Sequence, residues 1–150
     1  MIAKGFSDYP EWISNQLVQG RFDLVCLAYW MPTAIYYQDQ VYVIRTYREL
    51  RRVLATYQAI LMHHGLSKTI TTTKNKPNWF ARRFSVLVRQ KLFFDPGSPV
   101  RFSQMRFFVE RSGLRPGIHM VEVEELPFGE LVTKQRALQD LKAHADSAFE

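Results

Sequence analysis

The sequence is short of several features that define large classes of protein. Its 150 residues include one cysteine, Cys26, so no disulfide can form within the chain and a secreted disulfide scaffold is not expected. No apolar run approaches the roughly 20 residues that a membrane-spanning helix needs. The first eight residues lack the apolar core of a signal peptide. Together these absences favour a cytoplasmic protein with no membrane partner.

Motifs for phosphate and metal chemistry are missing as well. The sequence contains no Gly-rich phosphate loop. Two adjacent histidines, His63 and His64, would point in different directions on a helix, so no metal site is expected. We therefore predict no cofactor. Cys26 stands in an apolar stretch and is interpreted as a small buried hydrophobe, in preference to a reactive thiol.

Acidic residues are absent from one long part of the chain. Residues 50–94 contain nine Lys or Arg and no Asp or Glu, whereas residues 121–150 contain seven acids and three bases, within a net charge of +6. A basic stretch attracts nucleic acid when its charges cluster. Here the charges are spread along predicted strands, so we interpret them as part of a solvated sheet. A nucleic-acid partner is the least favoured of the alternatives.

The remaining features predict a single α+β domain over residues 1–150. Hydrophobic residues make up 47% and charged residues 23%, which is ordinary for a globular chain. Capping patterns and apolar periodicity predict two N-terminal helices, a long helix and a C-terminal helix, over residues 8–19, 22–29, 46–64 and 130–145. Alternation and turn residues predict strands at residues 33–37, 41–45, 66–73, 84–94, 100–111 and 118–126.

The long helix has one apolar side. Tyr57 follows Leu54 by three residues and Val53 by four, and Leu61 follows Tyr57 by four, so all four lie on one side of the helix. We predict that this side packs into the core.

Pairing the last three strands as antiparallel neighbours predicts the two faces of a sheet. The predicted register places Val86 and His119 opposite Val109. The mainly apolar inner face then carries three polar residues, Gln90, Ser103 and His119. The outer face mixes charged and large apolar side chains, which is typical of a subunit interface. We predict a homodimer contact through Leu87, Arg89, Arg106, Phe108, Met120 and Glu122, with Arg106 opposite Glu122.

His119 is the one ionisable residue near the middle of the predicted inner face. It is interpreted either as a core histidine satisfied by a hydrogen bond or as a catalytic acid or base that borders a cavity. A buried imidazole without a carboxylate partner should be neutral.

The order of these elements resembles the nuclear transport factor 2-like superfamily, which includes ketosteroid isomerase and scytalone dehydratase. The resemblance is clearest over residues 22–37, 41–45, 46–66 and 118–128. It implies helices packed in the concave face of a curved, mainly antiparallel sheet, a cystatin-like cone with an apolar pocket, plus an extra C-terminal helix. It also implies dimerisation through the outer sheet face. No catalytic pair of the family can be carried over, since Asp39 stands in a predicted turn.

Three functions remain open from the sequence. The first is a homodimeric module that binds a small apolar or carbonyl-containing ligand in an aromatic-lined pocket. The second is a cofactor-independent isomerase or dehydratase with His119 as its base. The third is a basic nucleic-acid-binding module. The predicted pocket residues are Tyr29, Trp30, Tyr36, Gln90, Ser103 and His119.

Overall fold

The computed structural model describes residues 8–113 and 115–128. Within these residues, three helices and six strands follow one another in the order α1 (Tyr9–Val18), α2 (Phe22–Cys26), β1 (Tyr29–Tyr37), β2 (Gln40–Ile44), α3 (Tyr47–His63), β3 (Lys68–Thr73), β4 (Arg83–Phe93), β5 (Arg101–Ser112) and β6 (Arg115–Glu125). The predicted C-terminal helix lies outside the described residues. Within those residues no helix is long and apolar enough to cross a membrane.

The helix termini follow from local hydrogen bonding. The Thr46 hydroxyl accepts a hydrogen bond from the Glu49 backbone N–H at 3.1 Å, which caps α3 as its sequence predicts. Pro10 stands in the first turn of α1, where a missing N–H costs nothing. The Asp8 side chain, at the N-terminal cap position of α1, makes no capping hydrogen bond.

All six strands form one curved, open sheet in the order β2-β1-β6-β5-β4-β3. Strand β1 runs parallel to β6, and every other neighbouring pair is antiparallel. This confirms the predicted α+β class with a mainly antiparallel sheet. Strand β1 begins at Tyr29 and not at Thr33, because α2 ends at Cys26, earlier than predicted.

The register between β4 and β5 differs from the predicted one by two residues. Val86 pairs with Phe107, and Phe84 takes the place opposite Val109. Because side chains alternate with a period of two, this slip leaves every residue on its predicted face. The predicted division into an inner and an outer face therefore holds for both strands.

A β-bulge changes the pairing between β5 and β6. Phe107 pairs with Val121 as predicted, but Val109 pairs with Ile118 and not with His119. The extra residue of a bulge stands outside the regular pairing of its neighbours. The predicted pairing of His119 with Val109 is therefore wrong, and Ile118, only 1% exposed, occupies the core position.

The helices pack on the inner face of the sheet. The core there joins buried residues of α2 and α3 to inward-facing residues of the strands, and Ile13 and Leu17 of α1 pack against it. On α3, Val53 and Leu61 are buried, which confirms the predicted core side of that helix.

Candidate functional site

A cavity lies between α1, α3 and the inner face of the sheet. Its volume is about 100 Å³. Cavities of this order, when lined by hydrocarbon, stay dry and admit a single small ring. Its walls are formed by Pro10, Ile13, Ser14, Leu17, Val25, Tyr29, Leu54, Tyr57, Val86, Val88, Gln90, Ser103, Met105, Phe107 and Ile118.

One corner of this cavity is polar, and we call Ser14, Tyr57, Gln90 and Ser103 the polar corner. The Gln90 side-chain amide donates to the Ser14 hydroxyl at 2.6 Å. The Ser103 hydroxyl donates to the Gln90 carbonyl oxygen at 3.1 Å. These bonds connect α1, β4 and β5 inside an apolar wall, where a polar group without a partner would be costly.

The Tyr57 hydroxyl is the fourth polar group of the polar corner. It is buried, and the Ser103 hydroxyl lies next to it. Burial raises the pKa of Tyr57, and the nearby Ser103 hydroxyl lowers that pKa only in part. Tyr57 therefore stays protonated near neutral pH, so it keeps a hydrogen that it can donate.

The cavity walls carry little else that can titrate. Among the lining residues the ionisable side chains are Tyr29 and Tyr57, and burial raises the pKa of Tyr29 as well. Among the described residues, the lining contains no carboxylate, imidazole or amine. Within residues 8–113 and 115–128, no three His, Cys, Asp or Glu side chains lie close enough together to hold a metal ion.

The structure brings together three of the six predicted pocket residues. Tyr29, Gln90 and Ser103 line the cavity. Tyr36 lies on β1 with 40% of its surface exposed, and its Cα partner on β6 is Glu122 of the outer face. His119 is half-buried at the bulge and does not contribute to the cavity lining, where its neighbour Ile118 is found instead.

Trp30 lies in a different place from the cavity. It lines an open groove with Phe80, Arg82 and Arg111. Its indole also covers Gly117: a Cβ built on that glycine would lie 2.1 Å from the Trp30 Nε1 atom. Gly117 is thus required by a close approach of a side chain and not by its own backbone conformation.

The six predicted interface residues share the outer face of the sheet. Arg106 pairs with Glu122 across β5 and β6, as predicted. Leu87 pairs with Arg106 across β4 and β5, as a result of the two-residue difference in register. Phe108 is the Cα partner of Met120. All of these except Glu122 are half-buried in the single chain.

Charge is divided across this outer face. Strands β3 and β4 contribute basic residues such as Lys68, Arg89 and Lys91, whereas β6 contributes Glu122 and Glu124. The central strand β5 lies between these basic and acidic halves.

The sequence-based prediction did not include Ser14 and Tyr57 among the pocket residues. Ser14 is 3% exposed, and nothing local in the sequence shows that it meets Gln90. Tyr57 was placed on the core side of α3, and the spacing of apolar residues does not distinguish a ring in close packing from one that borders a cavity.

Comparison with known proteins identifies structural neighbours only. No protein-family model matches the chain, and no curated protein matches its sequence. An NTF2-like protein with a cystatin-like fold from Novosphingobium aromaticivorans has a TM-score of 0.53 and 12% identity, with coverage of 88% of this chain and 86% of the other. An NTF-2 like protein of unknown function from Shewanella oneidensis has a TM-score of 0.54 and 16% identity, with coverage of 74% and 88%.

A third neighbour, also from Novosphingobium aromaticivorans, is described provisionally as a scytalone dehydratase. Its TM-score is 0.52 and its identity 9%, and 74% of each chain is covered. At identities this low, the likeness of these three proteins to the chain concerns the fold and not the function.

Proposed function

We propose that this chain, which has the nuclear transport factor 2-like fold, binds a small, mainly apolar ligand in its interior cavity and does so as a homodimer. The observation that carries the proposal is a hollow between helices and sheet, lined almost wholly by hydrocarbon and given one polar corner. A concave apolar space with a few convergent polar groups is the usual form of a small-molecule site.

The volume of the cavity limits the ligand. A cavity of about 100 Å³ suits one five- or six-membered ring or a short branched chain. Binding would be stabilised because the ligand's hydrocarbon surface leaves water and packs against the cavity wall. Leu54, Val88 and Phe107 offer such surface from three different elements.

Binding is better supported than catalysis. General acid–base catalysis needs a group that exchanges protons near the working pH and lies within hydrogen-bond reach of the substrate. The described cavity lining offers tyrosines with raised pKa values and no carboxylate or imidazole. His119 could serve the isomerase or dehydratase alternative only by moving from its place at the bulge into the cavity.

The outer sheet face supports the proposed homodimer. Leu87, Phe108 and Met120 lie among charged residues there, a mixture that interfaces between subunits commonly show. If the two outer faces packed together around a two-fold axis parallel to β5, the basic half of one sheet would face the acidic half of the other. Such an arrangement is self-complementary in charge, and complementary potentials favour association in one orientation.

A titration with benzene tests the proposed cavity site. We expect saturable changes in the backbone amide NMR signals of cavity-lining residues. Val86 lines the cavity and is fully buried. Val86→Leu adds a methylene that fills part of the cavity, so it should weaken benzene binding severalfold. Val121→Leu is the matched control, because Val121 is also buried but does not line the cavity. Amide changes that never saturate, or that Val86→Leu leaves unaltered, would contradict the proposal.

A further inference from the structure

The groove beside Trp30 is a second concave site, separate from the interior cavity, and we call it the rim groove. It lies where the loop between β3 and β4 meets the turn between β5 and β6, and Trp30, Phe80, Arg82, Glu110 and Arg111 line it. None of these five residues lines the interior cavity. The groove is open to solvent and has a volume of about 580 Å³, within the usual range for small-molecule sites.

The loop that carries Phe80 is held in place near both of its ends. The Leu87 backbone N–H donates to the Asn75 side-chain oxygen at 2.9 Å. Near the other end, Nε of Arg111 donates to the Trp79 carbonyl oxygen at 3.1 Å. The Phe80 ring is 93% exposed on this tethered loop, so its exposure is a feature of the fold.

Phe80 and Trp30 give the groove an aromatic side. One exposed apolar residue needs no explanation, but here two rings line the same concave surface. Trp30 is half-buried and rests on Gly117, so its indole is fixed in position. Aromatic rings pack best against other flat rings, in offset or edge-to-face contact.

Arg82 and Arg111 give the groove a positive charge that the described residues leave unbalanced. Arg82 is exposed and forms no ion pair within the described chain. The contacts of Arg111 are uncharged, namely a backbone carbonyl oxygen and the Phe84 ring. Glu110 also lines the groove, but Arg83 neutralises it at 3.4 Å. Guanidinium groups bind carboxylate and phosphate oxygens through parallel hydrogen bonds, so the groove suits an anion.

We propose that the rim groove binds a small planar aromatic anion, with its ring against Phe80 and Trp30 and its carboxylate or phosphate at Arg82 and Arg111. This site goes beyond the proposed function and does not depend on the interior cavity. The cavity does not suit such a ligand, because its described lining offers no cation to a buried anion.

Four ligands separate the contribution of the ring from that of the charge. The two anions, 2-naphthoate and 2-naphthyl phosphate, carry both features. The amide 2-naphthamide lacks the charge, and cyclohexanecarboxylate lacks the flat ring. Each is titrated into the full wild-type chain, and binding is followed through the NMR signals of the Trp30 indole N–H and the Gly113 backbone amide, which belongs to the groove lining.

Both naphthyl anions should produce saturable changes at these two signals. We expect 2-naphthamide to bind about fivefold more weakly, the loss typical of an exposed ion pair, and cyclohexanecarboxylate to bind at least threefold more weakly. The relative affinity of the two anions distinguishes a carboxylate ligand from a phosphate ligand, and either order supports the proposal.

Arg82→Gln tests the charge on a side chain whose exposure makes a folding defect unexpected. It should weaken binding of both naphthyl anions about fivefold and leave 2-naphthamide unchanged. Arg48→Gln is the matched control, because Arg48 is also exposed, lies on α3 outside the groove and changes the net charge equally. Phe80→Ala should weaken binding of all three naphthyl ligands at least threefold.

Three results would overturn the inference. Equal affinities of the wild type for 2-naphthoate and 2-naphthamide would remove the role of charge, and this comparison requires no variant. Equal effects of Arg82→Gln and Arg48→Gln would reduce that role to general attraction by a basic chain. The absence of saturable changes at Trp30 and Gly113 would remove the site itself, and the interior cavity proposal would be unaffected.

Discussion

Replacing Leu50 by alanine should destabilise the fold more than the same replacement at Leu54, one helical turn further along α3. Leu50 is 2% exposed and belongs to the close-packed core. Leu54 is only half-buried and already borders the cavity. The two changes are chemically identical and occur on the same helix, so helix propensity cancels in the comparison.

The expected sizes follow from burial. Removing three carbons from a fully buried leucine forfeits roughly 0.8 kcal/mol each, about 2.4 kcal/mol in total. An unrelaxed void of the same volume adds about 1–2 kcal/mol, so Leu50→Ala should lower the free energy of unfolding by about 3–5 kcal/mol. At Leu54 part of the side chain is already in contact with solvent, and its removal enlarges a cavity that is present in the wild type. We expect Leu54→Ala to lower the free energy of unfolding by about 1–2 kcal/mol.

Urea denaturation measures both values directly. The wild type and both variants are unfolded at one protein concentration, since a dimer gains stability with concentration. The slope of unfolding free energy against urea should stay constant, and the midpoint should move furthest for Leu50→Ala. Equal losses at the two sites, or a larger loss at Leu54, would show that the cavity beside Leu54 is filled in solution.

Three further predictions concern other parts of the molecule. Arg106→Glu places an acid opposite Glu122 on the outer face and should shift sedimentation towards monomer, and a wild-type chain that is already monomeric at micromolar concentration would refute the dimer. Gly117→Ala should lower the melting temperature, because its Cβ meets the Trp30 ring, and Trp30→Leu should recover most of that loss. Burial raises the pKa of Cys26 from its ordinary 9.0 to about 11, so stability should fall as pH rises from 9 to 11, where only the unfolded thiol ionises. Cys26→Ala should reduce that fall in stability, and an unchanged pH profile in this variant would contradict the role of the Cys26 thiol.

Element order and sheet faces could be predicted because they depend on local patterns. The capping pair Thr46 and Glu49 fixes the start of α3, and alternation along β4 and β5 separates Val86 and Gln90 from Leu87 and Arg89. The exact pairing of these strands could not be predicted. A slip of two residues preserves both faces, so the pattern of apolar residues is the same for either register.

The position of His119 shows where local patterns fail. Strict alternation backwards from Val121 assigns His119 to the inner face, and the bulge between Phe108 and Val109 moves Ile118 there instead. A bulge depends on how a whole sheet bends around its core, and no residue of this stretch specifies one by its own conformation. The catalytic role of His119 stays a prediction, but its bulge position does not supply the contact with the cavity that this role requires.

Stability alone does not account for the polar corner. Well-packed apolar residues of similar volume in place of a buried hydrogen-bonded group are often neutral for folding or even stabilising. Gln90 and Ser103 nevertheless occupy inward positions on two central strands, and Ser14 of α1 completes their hydrogen bonds. Beside them the Tyr57 hydroxyl is buried next to Ser103. Their position beside an apolar cavity is what the proposed ligand site requires, because such a site needs a few polar groups within a hydrocarbon lining.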